Sequence, residues 1–587
     1  SMIHIKQKQN FISNYKGSLK SNLKKGVSTL FLILFSSLLL SAQTRYVSPN
    51  GSSTPPYTSW ETAAHSIQTA VDASNVGDSI LVGNGTYIET IVLKPGNKLI
   101  GQDRDSTILD TRTLVTPSDY HAITSNDSCL IAHIHFIVSD TDRGAGIFCN
   151  EGVGLNQVIN NRFSNAATGI LVINSNIDSK LNEFISCKRG VNIIVLSSIY
   201  HSSITSNYFS RCETGISSSF PSNLTIRNNT IITKDEFSDG IFCAIADSAQ
   251  VSNNLVISPN SAYGIAIGDG VGVVNNNLVY GSSKFNALRL TNVTRNINNL
   301  VVNSSTGTEF LDDATNNYQF NSYWNVNKPY INGTPDSTNK ELYPMFVNPD
   351  SMDFRLQKYS PLIDAGDPNI LDKDGTRSDI GLYGGPYGMS YDYPDLPPLP
   401  PIGFETEILP NQNLVILNWD ENREADFNRY IIYKDSLKGF TINENNKYAD
   451  IDTSYFIDTL FINRNTYYKI SGIDNQGNES QPSEEIEVLV TRIHEDGIIE
   501  RTYKLYQNYP NPFNPTTKIS WYLPSMERVR IELFNLLGEK ISELTNRTYS
   551  SGYHTITLNG SDLSSGVYIY TIRAGQYIES KKMSLIK

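Results

Sequence analysis

Charged side chains recur in this sequence just ahead of a series of glycines. Lys188 and Arg189 precede Gly190, Arg211 and Glu213 precede Gly215, and Lys234, Asp235, Glu236 and Asp239 precede Gly240. Both signs at one repeating offset suit an extended charged ligand met at regular intervals; an ordinary solvated edge is the plainer alternative. A second cluster, Asp364, Asp367, Asp372, Asp374 and Asp379 in "DAGDPNILDKDGTRSDIG", supplies carboxylate oxygen for calcium, the one cofactor the sequence suggests. It fails the EF-hand pattern at the first and last ligand positions, and Asx turns are the simpler reading. His133 and His135 in "IAHIHF" alternate onto one side of a strand as a metal pair would, but no third ligand follows at a usable spacing. Asp312 and Asp313 are weak evidence by themselves for a pair of catalytic carboxylates.

These residues are positioned by a repeat. The asparagines of "NNRF", "LNEF", "SNYF", "NNTI" and three "NNLV" steps are Asn161, Asn182, Asn207, Asn229, Asn254, Asn277 and Asn299, spaced by 21, 25, 22, 25, 23 and 22 residues. That period is one solenoid coil. Stacked at one register, the amides are expected to form a ladder that satisfies buried backbone at a bend. Gly169, Gly190, Gly215, Gly240 and Gly264, each followed by an apolar residue, mark where each coil turns a corner and begins its next strand. Coils stack about 4.8 Å apart, so the charged segments fall on one longitudinal stripe whose spacing matches successive sugars of an acidic glycan. A leucine-rich horseshoe would need Leu-x-x-Leu-x-Leu steps, which are missing. Cys187 and Cys212 occupy matching positions on adjacent coils, where stacked parallel geometry disfavours a disulfide and favours free thiols. Cys149 and Cys243 share another register several coils apart, and Cys129 has no mate.

The stretch "GDSILVGNGTYIE", through Gly77, Asp78, Ile80, Val82, Gly85, Tyr87 and Glu89, resembles the first turns of right-handed parallel β-helix proteins. Ahead of it Ala63, Ile67, Ala70 and Val71 have helical spacing, suited to covering the open end of the stack. The expected fold class is all-β: a right-handed parallel β-helix followed by two small Ig-like β-sandwich domains. The resemblance also implies chemistry. Polygalacturonase-like members use clustered aspartates with His-Gly and Arg-x-Lys motifs, and neither accessory motif occurs here. Lyases of this fold use Lys or Arg to remove the proton beside a uronate carboxylate that calcium or Arg neutralises, which nominates Lys188, Arg189 and Lys234 by position alone.

At 587 residues the chain is too long for one core, and with 18% charged residues, 33 Tyr and few helical runs it reads as mostly β. Its net charge of -12 argues against nucleic acid as a partner. Six lysines, then "VSTLFLILFSSLLL" and "SAQ", read as a secretory signal peptide over 1–42; a membrane anchor is the alternative. No later apolar run is long enough to span a bilayer, so no transmembrane segment is expected in the mature protein.

The expected organisation is a capped β-helix over 43–390, a Pro-rich linker over 391–400, a domain over 401–490, a linker over 491–502 and a last domain over 503–587. Alternation around Trp419, Tyr433, Tyr468, Ile470 and Gly472 resembles a fibronectin type III domain. The final domain combines "YPNPFNPTTKI" (Pro510, Asn511, Pro512, Phe513, Asn514 and Pro515), "LFNLLGEKI" with Gly538, "LSSGVYIYTI" with Gly566, and a terminal "KKMSLIK" with Lys581 and Lys582. Together these resemble the C-terminal sorting domain of the type IX secretion system. That resemblance implies the secretion machinery as a partner and the cell surface or medium as destination. Two functions are therefore expected in competition: binding of extracellular polysaccharide or another surface ligand, and calcium-dependent polysaccharide lysis.

Overall fold

The computed structural model describes residues 42–586, apart from 115–120, 139–143, 197–198, 220–222, 235–237, 259–262, 283, 285, 292, 294, 312–317, 334–335, 410–413, 460–464 and 490–502. The signal-peptide stretch before Ala42, together with Asp235, Glu236, Asp312 and Asp313, lies outside the described residues. Two compact units divide the chain near Pro398.

In the first unit, twenty-eight described strands form one continuous parallel sheet wound into coils. Each coil pairs with the next at the spacing of the sequence repeat, as in Phe163 with Phe184 and Phe184 with Phe209. At every bend one residue takes a positive φ immediately before the repeat asparagine: Asn160, Leu181, Ser206, Asn228, Asn253, Asn276 and Asn298, all between 53° and 58°. The turn leaves backbone amides facing inward, and the asparagines satisfy them. Each side-chain oxygen accepts the backbone N–H of the asparagine one coil earlier at 2.8 to 3.1 Å, and each amide nitrogen donates to the next side-chain oxygen at 2.9 to 3.1 Å. The ladder continues through Asn321 and Asn339, two members the repeat alignment did not include.

Two residues beyond the ladder, Phe136, Phe163, Phe184 and Phe209 stack at centroid spacings of 4.6 to 4.9 Å, which is the coil rise. The recurrent glycines answer to this stack. None of the five has a positive φ, so they are not corner glycines; each lies near the start of a strand, in extended backbone. A Cβ at Gly169 would sit 2.6 Å from the Phe184 ring and 2.7 Å from the Gly190 carbonyl oxygen, so only hydrogen fits. All five cysteines are free and buried. Pairing runs from Cys149 through Val172, Ile193 and Ser218 to Cys243, the shared but distant register expected.

The helix Ile67–Asp72 buries Ile67, Ala70 and Val71 against the first coil. Residues 341–398 pack along the flank of the stack. Phe346, Phe354, Leu356, Leu362 and Ile380 form one cluster with Leu255, Leu278 and Leu300, the outward side chains of three successive coils. Asn253, Asn276 and Asn298, the positive-φ residues of those coils, bond the backbone or side chains of residues 367–384. This face of the solenoid is sealed by its own chain.

The second unit contains two domains, each with antiparallel sheets of three and four strands. Trp419, Tyr433, Tyr468 and Ile470 are buried in the first domain, as their alternation required. In the second, Ile519, Trp521, Val529, Ile531, Leu533, Tyr568 and Tyr570 form the core, whereas Val567 is 38% exposed. Adjacent strand residues face opposite ways, so Val567 cannot share the face of Tyr568.

Candidate functional site

The sheet that begins at each recurrent glycine presents a second face, which over its first coils carries half-buried and exposed side chains among the described residues. Its first strands are His121–Ser125, the start of Ala145–Ile159, the start of Thr168–Lys180, Arg189–Ile194 and Thr214–Ser218. Alternation sends Ile147, Ile170, Val191 and Ile216 into the core and leaves Phe148, Leu171, Asn192 and Ser217 in one outward column. A cleft of about 460 Å³ opens there, lined by His121, Phe148, Leu171, Ile173, Ile194, Thr168, Arg189 and Asn192, with Gly144 and Ala145 at its base. The His121 and Phe148 rings lie 4.3 Å apart. Asn192 accepts from the Ser217 hydroxyl at 2.9 Å, which holds its amide in place and directs its NH2 elsewhere.

Arg189 pairs in register with Thr168 below and Thr214 above, neither charged. No carboxylate among the described residues engages its exposed guanidinium. Asp239, two coils further along the same column, behaves differently. Burial pushes its carboxyl up to about 6, against smaller opposing effects of the Tyr263 backbone N–H and of Arg289. Its Oδ1 is shielded from solvent and has no hydrogen-bond partner among the described residues. Beyond it, Arg289 is held by Glu309 at 3.4 Å and by the Tyr263 hydroxyl at 3.2 Å. The face therefore runs from an apolar cleft with an unengaged cation to a self-neutralised polar end.

Of the expected stripe, Arg189 and Asp239 stand on this face. Lys188, Glu213 and Lys234 share a neighbouring register in the turn that leads into the sheet, since their amides bond Ala166, Cys187 and Cys212 on successive coils. Arg211 sits apart in a bulge with φ 55°. The cleft residues His121, Phe148, Leu171 and Asn192 were not singled out by sequence; their one signal is outward position at coil spacing.

His133 and His135 do not share a strand face. His133 occupies a positive-φ bend between Leu130–Ala132 and His135–Ile137, and His135 bonds the Ser164 hydroxyl at 2.9 Å. In the aspartate cluster, Asp367 bonds Arg295 and the Asn369 amide, while Asp372 accepts from the Asp379 and Gly385 amides. Asp374 accepts from Thr376, and Asp379 from the Asp364 amide and the Tyr393 hydroxyl. These are turn-stabilising contacts of the segment that seals the solenoid flank. Among the described residues no group of three His, Cys, Asp or Glu side chains is placed to share a metal ion.

In the last domain, Phe513 is buried and Asn511 accepts from the Ser584 amide. Gly538 and Gly566 have positive φ with open space where a Cβ would stand, so backbone conformation alone selects them. Pro510 accepts from the Thr517 hydroxyl through its carbonyl, and Lys582 accepts from Gln507 through its carbonyl. Lys581 pairs with Glu579 at 3.6 Å. Pro512, Asn514 and Pro515 complete the same segment.

Comparison with known proteins gives two family matches. Residues 507–587 match the family model of the secretion system C-terminal sorting domain, and residues 120–337 match that of the periplasmic copper-binding protein NosD. No curated protein matches the chain. Among solved structures, the spore cortex lytic enzyme SleM of Clostridium perfringens is similar at 19% identity and TM-score 0.13, over 19% of this chain and 32% of that one. Dimeric latent PorU of Porphyromonas gingivalis is similar at 12% identity and TM-score 0.20, over 35% of this chain and 22% of that one. This chain thus covers about a third or less of either protein's length. No helix among the described residues is long and apolar enough to cross a membrane. The chain is a parallel β-solenoid with a type IX sorting domain at residues 507–587, and its destination is the cell surface or the medium.

Proposed function

We propose that this protein binds extracellular polysaccharide through the open sheet face of its solenoid. The observation that carries the reading is the cleft itself: an aromatic and aliphatic floor of Phe148, Leu171, Ile173 and Ile194 beside the Arg189 guanidinium and the Asn192 amide. Sugar rings offer one apolar face and a rim of hydroxyls, so they suit a floor of this kind flanked by a few fixed polar groups. Contacts recurring at the coil rise of about 4.8 Å fit a polymer lying along the solenoid axis. The domain over 401–490 serves as a fibronectin type III-like spacer between the solenoid and the sorting domain.

The test is retention of the full chain on immobilised glycans, with the same polymers followed in solution for ultraviolet absorbance of unsaturated ends, in calcium and in chelator. Retention without absorbance growth is expected. Absorbance that grows with protein and is lost in Lys188→Ala or Lys234→Ala would replace binding with elimination chemistry. Retention on no glycan would refute the proposal.

A further inference from the structure

Resting on the binding proposal above, we infer that the polysaccharide is acidic and carries a methyl group next to its acid: that of a 6-deoxy sugar or of an acyl substituent. Two properties of the cleft, each independent of the other, lead there.

The first is charge. Arg189 is exposed at the cleft, flanked in its own column by Thr168 and Thr214, and no carboxylate of the described chain engages it. Arg289, on the same sheet, is instead paired with Glu309. In a chain of net charge -12, a guanidinium with no carboxylate partner among the described residues fits an anionic group supplied by the ligand.

The second is the floor. Leu171, Ile173 and Ile194 are aliphatic, half-buried and outward-facing, on two adjacent coils. A plain uronate polymer covers this floor only with the flat C–H faces of its rings, its hydroxyls and carboxylates staying at the rim. A methyl group next to the acid buries further aliphatic surface there. Arg189 and the aliphatic floor line the same cleft, so a carboxylate held by Arg189 leaves the adjoining part of the polymer at Leu171 and Ile173.

Four polymers separate the terms when bound to the full chain: polygalacturonate (acid without methyl), O-acetylated polygalacturonate (acid with acyl methyl), a rhamnogalacturonan backbone (galacturonate alternating with a 6-deoxyhexose) and its carboxyl-reduced form (methyl without acid). At least one acid-plus-methyl polymer is expected to bind about tenfold or more tightly than both single-feature polymers, and which one does so names the methyl's source. Arg189→Gln should erase the advantage over the carboxyl-reduced form while keeping the methyl preference. Leu171→Asn should do the reverse. Both side chains face outward, so unchanged thermal unfolding of each variant separates a contact from a folding defect. Equal binding of all four polymers, or retention only on a glycan lacking either feature, would overturn this inference and leave the binding proposal standing. Retention on no glycan at all would remove both.

Discussion

Asn207 lies in the middle of the amide ladder, 2% exposed. Its oxygen accepts the Asn182 backbone N–H at 3.0 Å and the Asn182 amide at 3.1 Å, and its nitrogen donates to the Ser179 carbonyl, the Thr205 carbonyl and the Asn229 amide oxygen at 2.9 to 3.2 Å. Asn207→Ala strands the buried Asn182 N–H and removes a donor from three acceptors. At about 1 to 3 kcal/mol for each buried group left unsatisfied, the local cost is about 3 to 5 kcal/mol. Hydrogen exchange of the full chain measures this locally, which avoids treating a multidomain protein as two-state. Protection around Asn182 and Asn207 should fall by about a hundredfold to several thousandfold, while the sorting domain is unchanged. Asn207→Asp sharpens the test, because its nitrogen becomes an oxygen facing three acceptors. Only the protonated acid can donate there, so the folded state raises that carboxyl's pKa above its unfolded value. Its stability should accordingly be greatest at low pH and be lost as pH rises through the folded pKa. Unchanged protection in Asn207→Ala, or an Asn207→Asp variant whose deficit does not grow with pH, would refute the ladder as a source of stability.

Three further outcomes follow from the same structure. Gly169→Ala places a methyl 2.6 Å from the Phe184 ring and should lower stability by about 2 to 4 kcal/mol in thermal unfolding, whereas Gly272→Ala, whose nearest neighbour is 3.6 Å away, should cost under about 1 kcal/mol. The five cysteines should resist thiol reagents in the native protein and all react, without reductant, once it is denatured. Burial raises the Asp379 carboxyl to about 6, so the segment sealing the solenoid flank is stabilised below pH 4 relative to neutral pH and loses that advantage as pH rises through 6. Exchange protection over residues 360–385 should therefore decline between pH 4 and 7, by the equivalent of about 2 kcal/mol, and Asp379→Asn should flatten the decline.

The ladder was legible because a solenoid's long-range neighbours lie one repeat away in sequence. Asn182 meets Asn207 across 25 residues, and that interval is the coil, so periodicity and tertiary contact coincide. The glycine period was equally visible, but its cause was not: no sequence pattern says that Gly169 faces the ring of Phe184 on the next coil. The aspartates 364–379 looked like ligands because their type was plain and their partners, backbone amides of their own loop, were not.

The sequence by itself determined the coil, its register and the sorting tail, since each rests on buried or conformationally restricted positions that packing allows few residue types to fill. Which face of the coil meets the outside was decided by the tertiary structure. Residues 341–398 fold back over Leu255, Leu278 and Leu300, while Phe148, Leu171, Arg189 and Asn192 remain open. Outward positions escape the packing that repeats the core, so Phe148, Leu171, Asn192 and Ser217 follow one another in a single column with no shared residue type. A site of that kind has no period to read, and it exists only once the coils are stacked.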